Sequence, residues 1–145
     1  MKDEINFLLA SMKMKNFHRL PLFFVLLALS VFVWGAPPSP REVVNLRMDA
    51  YNSHDISAFM ALYVDNVTVY TYPDIALASG KAHLESIFAP VFAEGSISVK
   101  ILSQMENGNY VINEEVVNYA GSNKKYVSIY KVEEGFITEV RFVRE

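Results

Sequence analysis

Three consecutive polar residues, Asn113, Glu114 and Glu115, interrupt a segment that otherwise reads Tyr110-Val111-Ile112 before them and Val116-Val117 after them. Neighbours in a strand point to opposite faces, so one of the two glutamates must project inward in either register, and Asn113 shares its face with Glu115. A carboxylate walled off from water there can take a proton from a substrate or hold a ligand hydroxyl, whereas at a sheet edge or dimer rim it is simply solvated. Tyrosine is the second candidate chemistry. All eight tyrosines lie beyond residue 50: Tyr51 ends a helical segment, Tyr63, Tyr70 and Tyr72 flank the first strand-like run, and Tyr126 and Tyr130 sit on a later one. Each gives a pocket an apolar wall with one polar tip, suited to a flat or partly oxygenated ligand; packing in a core or an interface is the competing use.

His54 and His83 are 29 positions apart, with no His-x-His or His-x-x-x-His spacing, so a metal site built from both plus Glu115 or Asp74 has no sequence support, and neither metal nor cofactor is expected. His83, in the first turn of a helical stretch, could act as acid or base at a pocket mouth, because imidazole exchanges protons near neutrality. Asp74 follows Tyr72-Pro73 and reads as a turn residue or a pocket carboxylate. The chain has no cysteine, which excludes thiolate zinc, disulfides and a cysteine nucleophile. It also lacks a Gly-rich phosphate loop, a serine elbow and basic-aromatic alternation for nucleic acid.

The 145 residues are 52% apolar with a formal charge of -3, and these averages hide a division. Residues 1–35 carry Lys2, Lys13, Lys15 and Arg19 against Asp3 and Glu4, a net +2, which leaves -5 on the other 110. An acidic body of that kind is a poor partner for phosphates, so no nucleic acid is expected. The basic cluster precedes an uncharged run of 15 residues from Leu20 to Trp34, the layout of an export signal and short of the ~20 residues of a spanning helix. Small residues at Val33-Trp34-Gly35 place cleavage after Gly35, with Met12 or Met14 as a more usual start. The expected organisation is a signal peptide over 1–35, a spacer over 36–40 and one domain over 41–145, periplasmic or secreted. The alternative is a membrane anchor formed by residues 20–34; a lipoprotein anchor lacks its cysteine.

The elements that must position these side chains follow from pattern. Ser39-Pro40-Arg41-Glu42 is a capping box with proline at the first helical position, opening a helix to about Tyr51. Asp55 caps a second, short helix carrying Ile56, Phe59, Met60, Leu62 and Tyr63. Val67 to Tyr72 is a strand ended by Pro73-Asp74, and a loop then runs to Gly80. Leu84, Ile87, Phe88, Val91 and Phe92 mark a third helix, in which Pro90 should kink or loosen the last turn. From Ser96 the period becomes two, and turns at 106–109, 121–123 and 133–135 join four strands into an antiparallel meander. The result is an α+β domain with helices covering one face of a curved sheet.

That order, with Asp55-Ile56, the run Tyr63-Val64-Asp65-Asn66-Val67-Thr68-Val69, Gly80 before the third helix and Gly135-Phe136-Ile137 in the last hairpin, resembles the nuclear transport factor 2-like (NTF2-like) superfamily and, within it, the SnoaL-like branch. The resemblance implies a cystatin-like, cone-shaped α+β barrel enclosing a pocket, commonly dimeric through the open sheet face, with functions spread over isomerases, cyclases, dehydratases and binding modules. The strand around Asn113 is similar to the family's pocket-lining Asp-x-Glu, which favours Glu115 over Glu114. The ketosteroid isomerase pattern is not matched: its general base falls on Thr71, its first-helix tyrosine near Arg47 and its neutral aspartate near Val127, unless a shifted match brings in Asp74. The leading expectation is therefore an exported homodimeric domain binding a small apolar or partly oxygenated ligand, with Tyr51, Tyr70, Tyr72, Asn113 and Tyr130 as ligand-binding residues. One alternative is an isomerase, cyclase or dehydratase using Glu115 with Tyr70 or His83 for proton transfer; another is a non-catalytic protein-interaction module with a filled cone.

Overall fold

The computed structural model describes residues 35–144. The expected signal peptide therefore falls almost wholly outside the described residues. Helix α1, Pro40–Asn52, starts at a complete capping box: Ser39 Oγ accepts from the Glu42 N–H at 3.3 Å, and Glu42 Oε2 accepts from the Ser39 N–H at 2.7 Å. Its inward side is Val43, Val44, Arg47, Met48, Ala50 and Tyr51. A tight corner with His54 at φ 56° leads to α2, Ile56–Ala61, where Asp55 accepts from the Ala58 N–H at 2.9 Å. Asn52 pins this corner to the sheet by donating to the Val99 carbonyl at 3.0 Å and accepting from the Val99 N–H at 2.8 Å.

Strand β1, Tyr63–Thr71, is followed by a strand that pattern does not reveal, β2, Ile75–Ser79. The expectation for this stretch is a loop, because Ile75-Ala76-Leu77-Ala78-Ser79 does not alternate. It is an edge strand paired only with β1, so Ile75 can stay 64% exposed while Ala78 is buried. Helix α3, Lys81–Glu94, continues four residues past Pro90 and stops at Gly95, whose φ of 66° suits a residue without a Cβ. The break therefore comes at Gly95 and not at the proline, which costs only the hydrogen bond to the Ser86 carbonyl one turn earlier.

The remaining strands are β3, Ile97–Asn107, β4, Tyr110–Tyr119, β5, Ser122–Glu133, and β6, Phe136–Arg144. All three hairpins turn on two residues; Ala120-Gly121 and Glu134-Gly135 have positive φ at both positions, the type I′ geometry that matches strand twist. The sheet order is β2-β1-β6-β5-β4-β3, antiparallel except where β1 lies parallel to β6. Three helices thus pack on one face of a six-stranded, curved, mainly antiparallel sheet, the expected α+β class. The core between the layers joins Val43, Val44, Phe59, Leu84 and Phe92 from the helices to Val67, Val111, Tyr130, Ile137 and Val140 from the sheet. Tyr51, Phe59, Phe88 and Phe92 form an aromatic cluster with ring centres 4.9–6.1 Å apart.

Candidate functional site

Arg47 lies three and four residues beyond Val44 and Val43, so α1 carries it inward with its apolar stripe, and only 3% of it is exposed. Its Nε donates to Tyr63 Oη at 2.6 Å and its Nη1 to Met48 Sδ at 3.5 Å. The guanidinium carbon stands 5.0 Å from the ring centres of Phe59 and Tyr130 and 5.5 Å from that of Tyr51. Burial opposes this charge, but Tyr130, Tyr63 and Glu115 outweigh it and hold the guanidinium pKa above its ordinary value. Burial also pushes the Tyr51 phenol up to about 12 against the pull of Arg47, and raises Tyr63 and Tyr130 for the same reason.

On β4 the inward residues are Val111, Asn113, Glu115 and Val117, which settles the register: Glu115 is 2% exposed, while Glu114 points outward to Ser103 and Lys125. Glu115 Oε1 accepts from Ser128 Oγ at 2.6 Å, Oε2 accepts from Asn113 Nδ2 at 3.3 Å, and Tyr130 Oη lies 3.4 Å from both oxygens. Behind it runs a relay of amides. Asn113 Oδ1 accepts from Gln104 Nε2 at 3.0 Å; Gln104 also donates to Asn45 Oδ1 at 3.1 Å and accepts from Arg41 Nη1 at 3.0 Å. Each buried side-chain nitrogen and oxygen among the described residues has a partner.

Arg47 and Glu115 both line a cavity of about 430 Å³, open to solvent on one side, between α1, α3 and the concave sheet. Its wall is mostly apolar, with Val69, Leu77, Leu84, Phe88, Val99 and Phe142 among the lining residues. Of the residues expected at a site, Glu115 and Tyr51 line the cavity; Asn113 and Tyr130 stand behind its wall and hold Glu115. The other three lie elsewhere. Tyr70 faces away, under the Arg141 guanidinium at 4.6 Å; Tyr72 is 61% exposed beside the β1–β2 turn; His83 Nδ1 accepts from the Ser79 N–H at 3.4 Å outside the cavity. Tyr70 lies on the face of β1 opposite Val67 and Val69 and so could not reach a cavity on the concave side, while Tyr72 falls just past the end of the strand at Thr71.

His54 donates from Nε2 to the Ile97 carbonyl at 2.7 Å, and Asp74 accepts from Arg141 Nη1 at 2.7 Å, so both are engaged structurally. No group of three histidine, aspartate or glutamate side chains among the described residues is placed to hold a metal. Thr71 ends β1, and Val127 is 39% exposed because its inward neighbours on β5 are Tyr126 and Ser128. Two residues of the cluster are absent from the site expected on sequence grounds. Arg47 is a charge inside a helical apolar stripe, and Ser128 lies two residues from both Tyr126 and Tyr130, hence on their face; both spacings are available signals.

Helices folded over a strongly curved six-stranded sheet, with an apolar cavity between the layers and a few polar groups on its wall, define the NTF2-like architecture. The chain belongs to the SnoaL-like domain family, whose model matches residues 44–140. By sequence, no curated protein gives a significant match. Among solved structures, an uncharacterised cystatin-fold protein of Novosphingobium aromaticivorans is 22% identical with a TM-score of 0.70, over 74% of this chain and 99% of that one. A computationally designed 17-OHP binder is 17% identical with a TM-score of 0.66, over 74% and 92%. An LEH-like epoxide hydrolase of M. tuberculosis is 16% identical with a TM-score of 0.61, over 73% and 82%. At these identities the likeness is one of fold.

Proposed function

We propose that this SnoaL-like domain binds a small, largely apolar, partly oxygenated molecule in its cone. The observation that carries the reading is the 430 Å³ cavity, within the ~300–1,000 Å³ range of ligand sites and walled by aliphatic and aromatic groups with Arg47, Glu115 and Tyr51 as polar points. A filled cone, as a pure interaction module would have, leaves no such space. The designed 17-OHP binder supports the reading by analogy, since a cone of this architecture can be made to hold a ligand.

Proton transfer by Glu115 is the second reading, and its position on the cavity wall favours it. Ser128, Tyr130 and Asn113, however, already direct three donors at the two carboxylate oxygens, so of about four acceptor positions one is left, enough to receive a ligand hydroxyl. Binding is therefore the stronger reading. Two further parts of the proposal concern setting. The basic cluster and apolar run before Gly35 support export with the leader removed. The outer sheet face supports a homodimer, because Ile112 lies opposite Ile129 and Val127 opposite Val143, an apolar patch on the side away from the helices.

The test of the binding reading uses N-phenyl-1-naphthylamine, a neutral probe that fluoresces in apolar surroundings. Saturable enhancement is expected with the purified protein, weakened at least tenfold by Leu77→Trp, which fills the cavity from its wall. Absence of saturable binding, or equal binding by a folded Leu77→Trp variant, would overturn it.

A further inference from the structure

The charged residues lining the cavity are unevenly distributed. Arg47 and Glu115 are both buried, and their opposite charges offset one another without a direct ion pair. The other two charged lining residues are Lys124 and Arg144, both exposed and neither in an ion pair among the described residues. Strand register explains their grouping. Tyr126 lies opposite Glu115 on one side and opposite Arg144 on the other, and Lys124 precedes Tyr126 by two residues, so all four share the concave face. Glu94 approaches this end by accepting from Tyr119 Oη at 3.1 Å, but it does not line the cavity. A domain whose body carries an excess of five acidic charges thus presents, among the described residues, two cations and no carboxylate at the exposed edge of its cavity wall.

The inner end offers an unused donor. Arg47 spends Nε on Tyr63 and Nη1 on Met48, and its Nη2 has no hydrogen-bond partner among the described residues. Every fully enclosed side-chain nitrogen among the described residues does have one, so Nη2 opens into the cavity that Arg47 lines. A donor there, beside a carboxylate, suits a neutral oxygen: a carbonyl accepts from Nη2, and a hydroxyl can also donate to Glu115. A second anion at that depth would meet the Glu115 charge in a poorly screened setting.

We infer that the ligand is an amphipathic organic acid, its apolar body in the cone, a hydroxyl or carbonyl at the inner end against Arg47 Nη2 and Glu115, and its carboxylate at the rim between Lys124 and Arg144. The inference rests on the binding reading above and names the ligand class for that same cavity. From Glu115 to Arg144 is two strand spacings, about 10 Å, which a fused two-ring body with substituents at opposite ends can span.

The experiment is displacement of N-phenyl-1-naphthylamine from the purified protein by 6-hydroxy-2-naphthoate, its neutral counterpart 6-hydroxy-2-naphthamide, and 2-naphthoate, which lacks the inner hydroxyl. The hydroxy acid should displace the probe at a concentration roughly fivefold or more below that of the amide, the scale of one or two solvent-exposed charge contacts. That preference should shrink in 0.5 M salt, through screening, and vanish in Lys124→Gln/Arg144→Gln. It is a ratio taken within each protein, so a general loss of affinity in the variant cancels. Removing the hydroxyl should also weaken displacement. Probe binding with equal displacement by acid and amide would overturn the ligand class while leaving the cavity reading intact. Survival of the acid preference in the double variant would overturn the rim assignment. Failure of the probe to bind would remove the binding reading and this one with it.

Discussion

Glu115→Gln is a one-atom change whose cost the hydrogen-bond network fixes. The carboxylate receives Ser128 at 2.6 Å, Asn113 at 3.3 Å and Tyr130 between its two oxygens. A glutamine oxygen can keep Ser128, but its amide then points hydrogens at the Asn113 amide nitrogen, donor against donor. Asn113 cannot turn over without giving up Gln104, and Gln104 is itself held by Arg41 and Asn45. One charge-assisted bond is lost, worth about 1.5–3 kcal/mol, and Arg47 loses part of its compensating charge. A total near 2–4 kcal/mol follows, on the order of 10–20 °C in melting temperature for a domain of this size. The informative control is Asn113→Asp. Alone it sets two carboxylates side by side and should destabilise; combined with Glu115→Gln it accepts from both the substituted amide and Gln104, restoring the pattern with its polarity exchanged. At least half of the loss should return, measured as a double-mutant cycle of urea midpoints by circular dichroism at pH 7. A Glu115→Gln variant within about 0.5 kcal/mol of the parent, the size of an ordinary surface change, would refute the network's role. So would strict additivity of the two substitutions.

The raised phenols give a pH expectation. Tyr51, Tyr63 and Tyr130 keep their protons longer folded than unfolded, so their contribution is full below the unfolded tyrosine value near 10 and is lost as pH rises toward about 12 for Tyr51; the urea midpoint should fall over that window, less steeply in Tyr51→Phe, and an identical slope would contradict the burial argument. The single tryptophan, Trp34, precedes the proposed cleavage point, so exported protein should begin at Ala36 by terminal sequencing and emit only as tyrosine; tryptophan emission from it would mean the leader is retained. Val127→Lys with Ile129→Lys should convert a dimer into a folded monomer by sedimentation equilibrium, whereas an unchanged mass would place any interface elsewhere.

Features governed by local periodicity are legible in the sequence. The capping box at Ser39, the Asp55 cap, the third helix and the meander after Ser96 all follow from patterns a few residues long, and the alternation along β4 limits the inner carboxylate to two choices. What escapes depends on contacts distant in sequence. β2 is a strand because β1 offers it hydrogen bonds, although its own residues do not alternate. Arg47 is a site residue because Tyr63, Tyr130 and Glu115, from three different strands, surround it; by spacing it is only a polar intrusion in an apolar stripe. Residue type alone assigns Tyr70 and Tyr72 to the site; the parity of β1 sends Tyr70 to the opposite face, and Tyr72 falls exposed just past the strand's end. Residue type suggests the chemistry, and strand parity decides which members of each type can take part.

The clamp of Asn52 on Val99 has a consequence for colloidal behaviour. β3 is the outermost strand on its side of the sheet, and its free backbone groups are a template on which another chain could add a strand. Asn52 occupies both the N–H and the carbonyl of Val99, and His54 takes the carbonyl of Ile97, so the corner between the first two helices closes the start of that template from within the molecule. Two side chains with no place in the cavity thereby guard the protein against edge-to-edge polymerisation. Loss of Asn52 would register first as reduced solubility at high concentration, before any change in what the cone can hold.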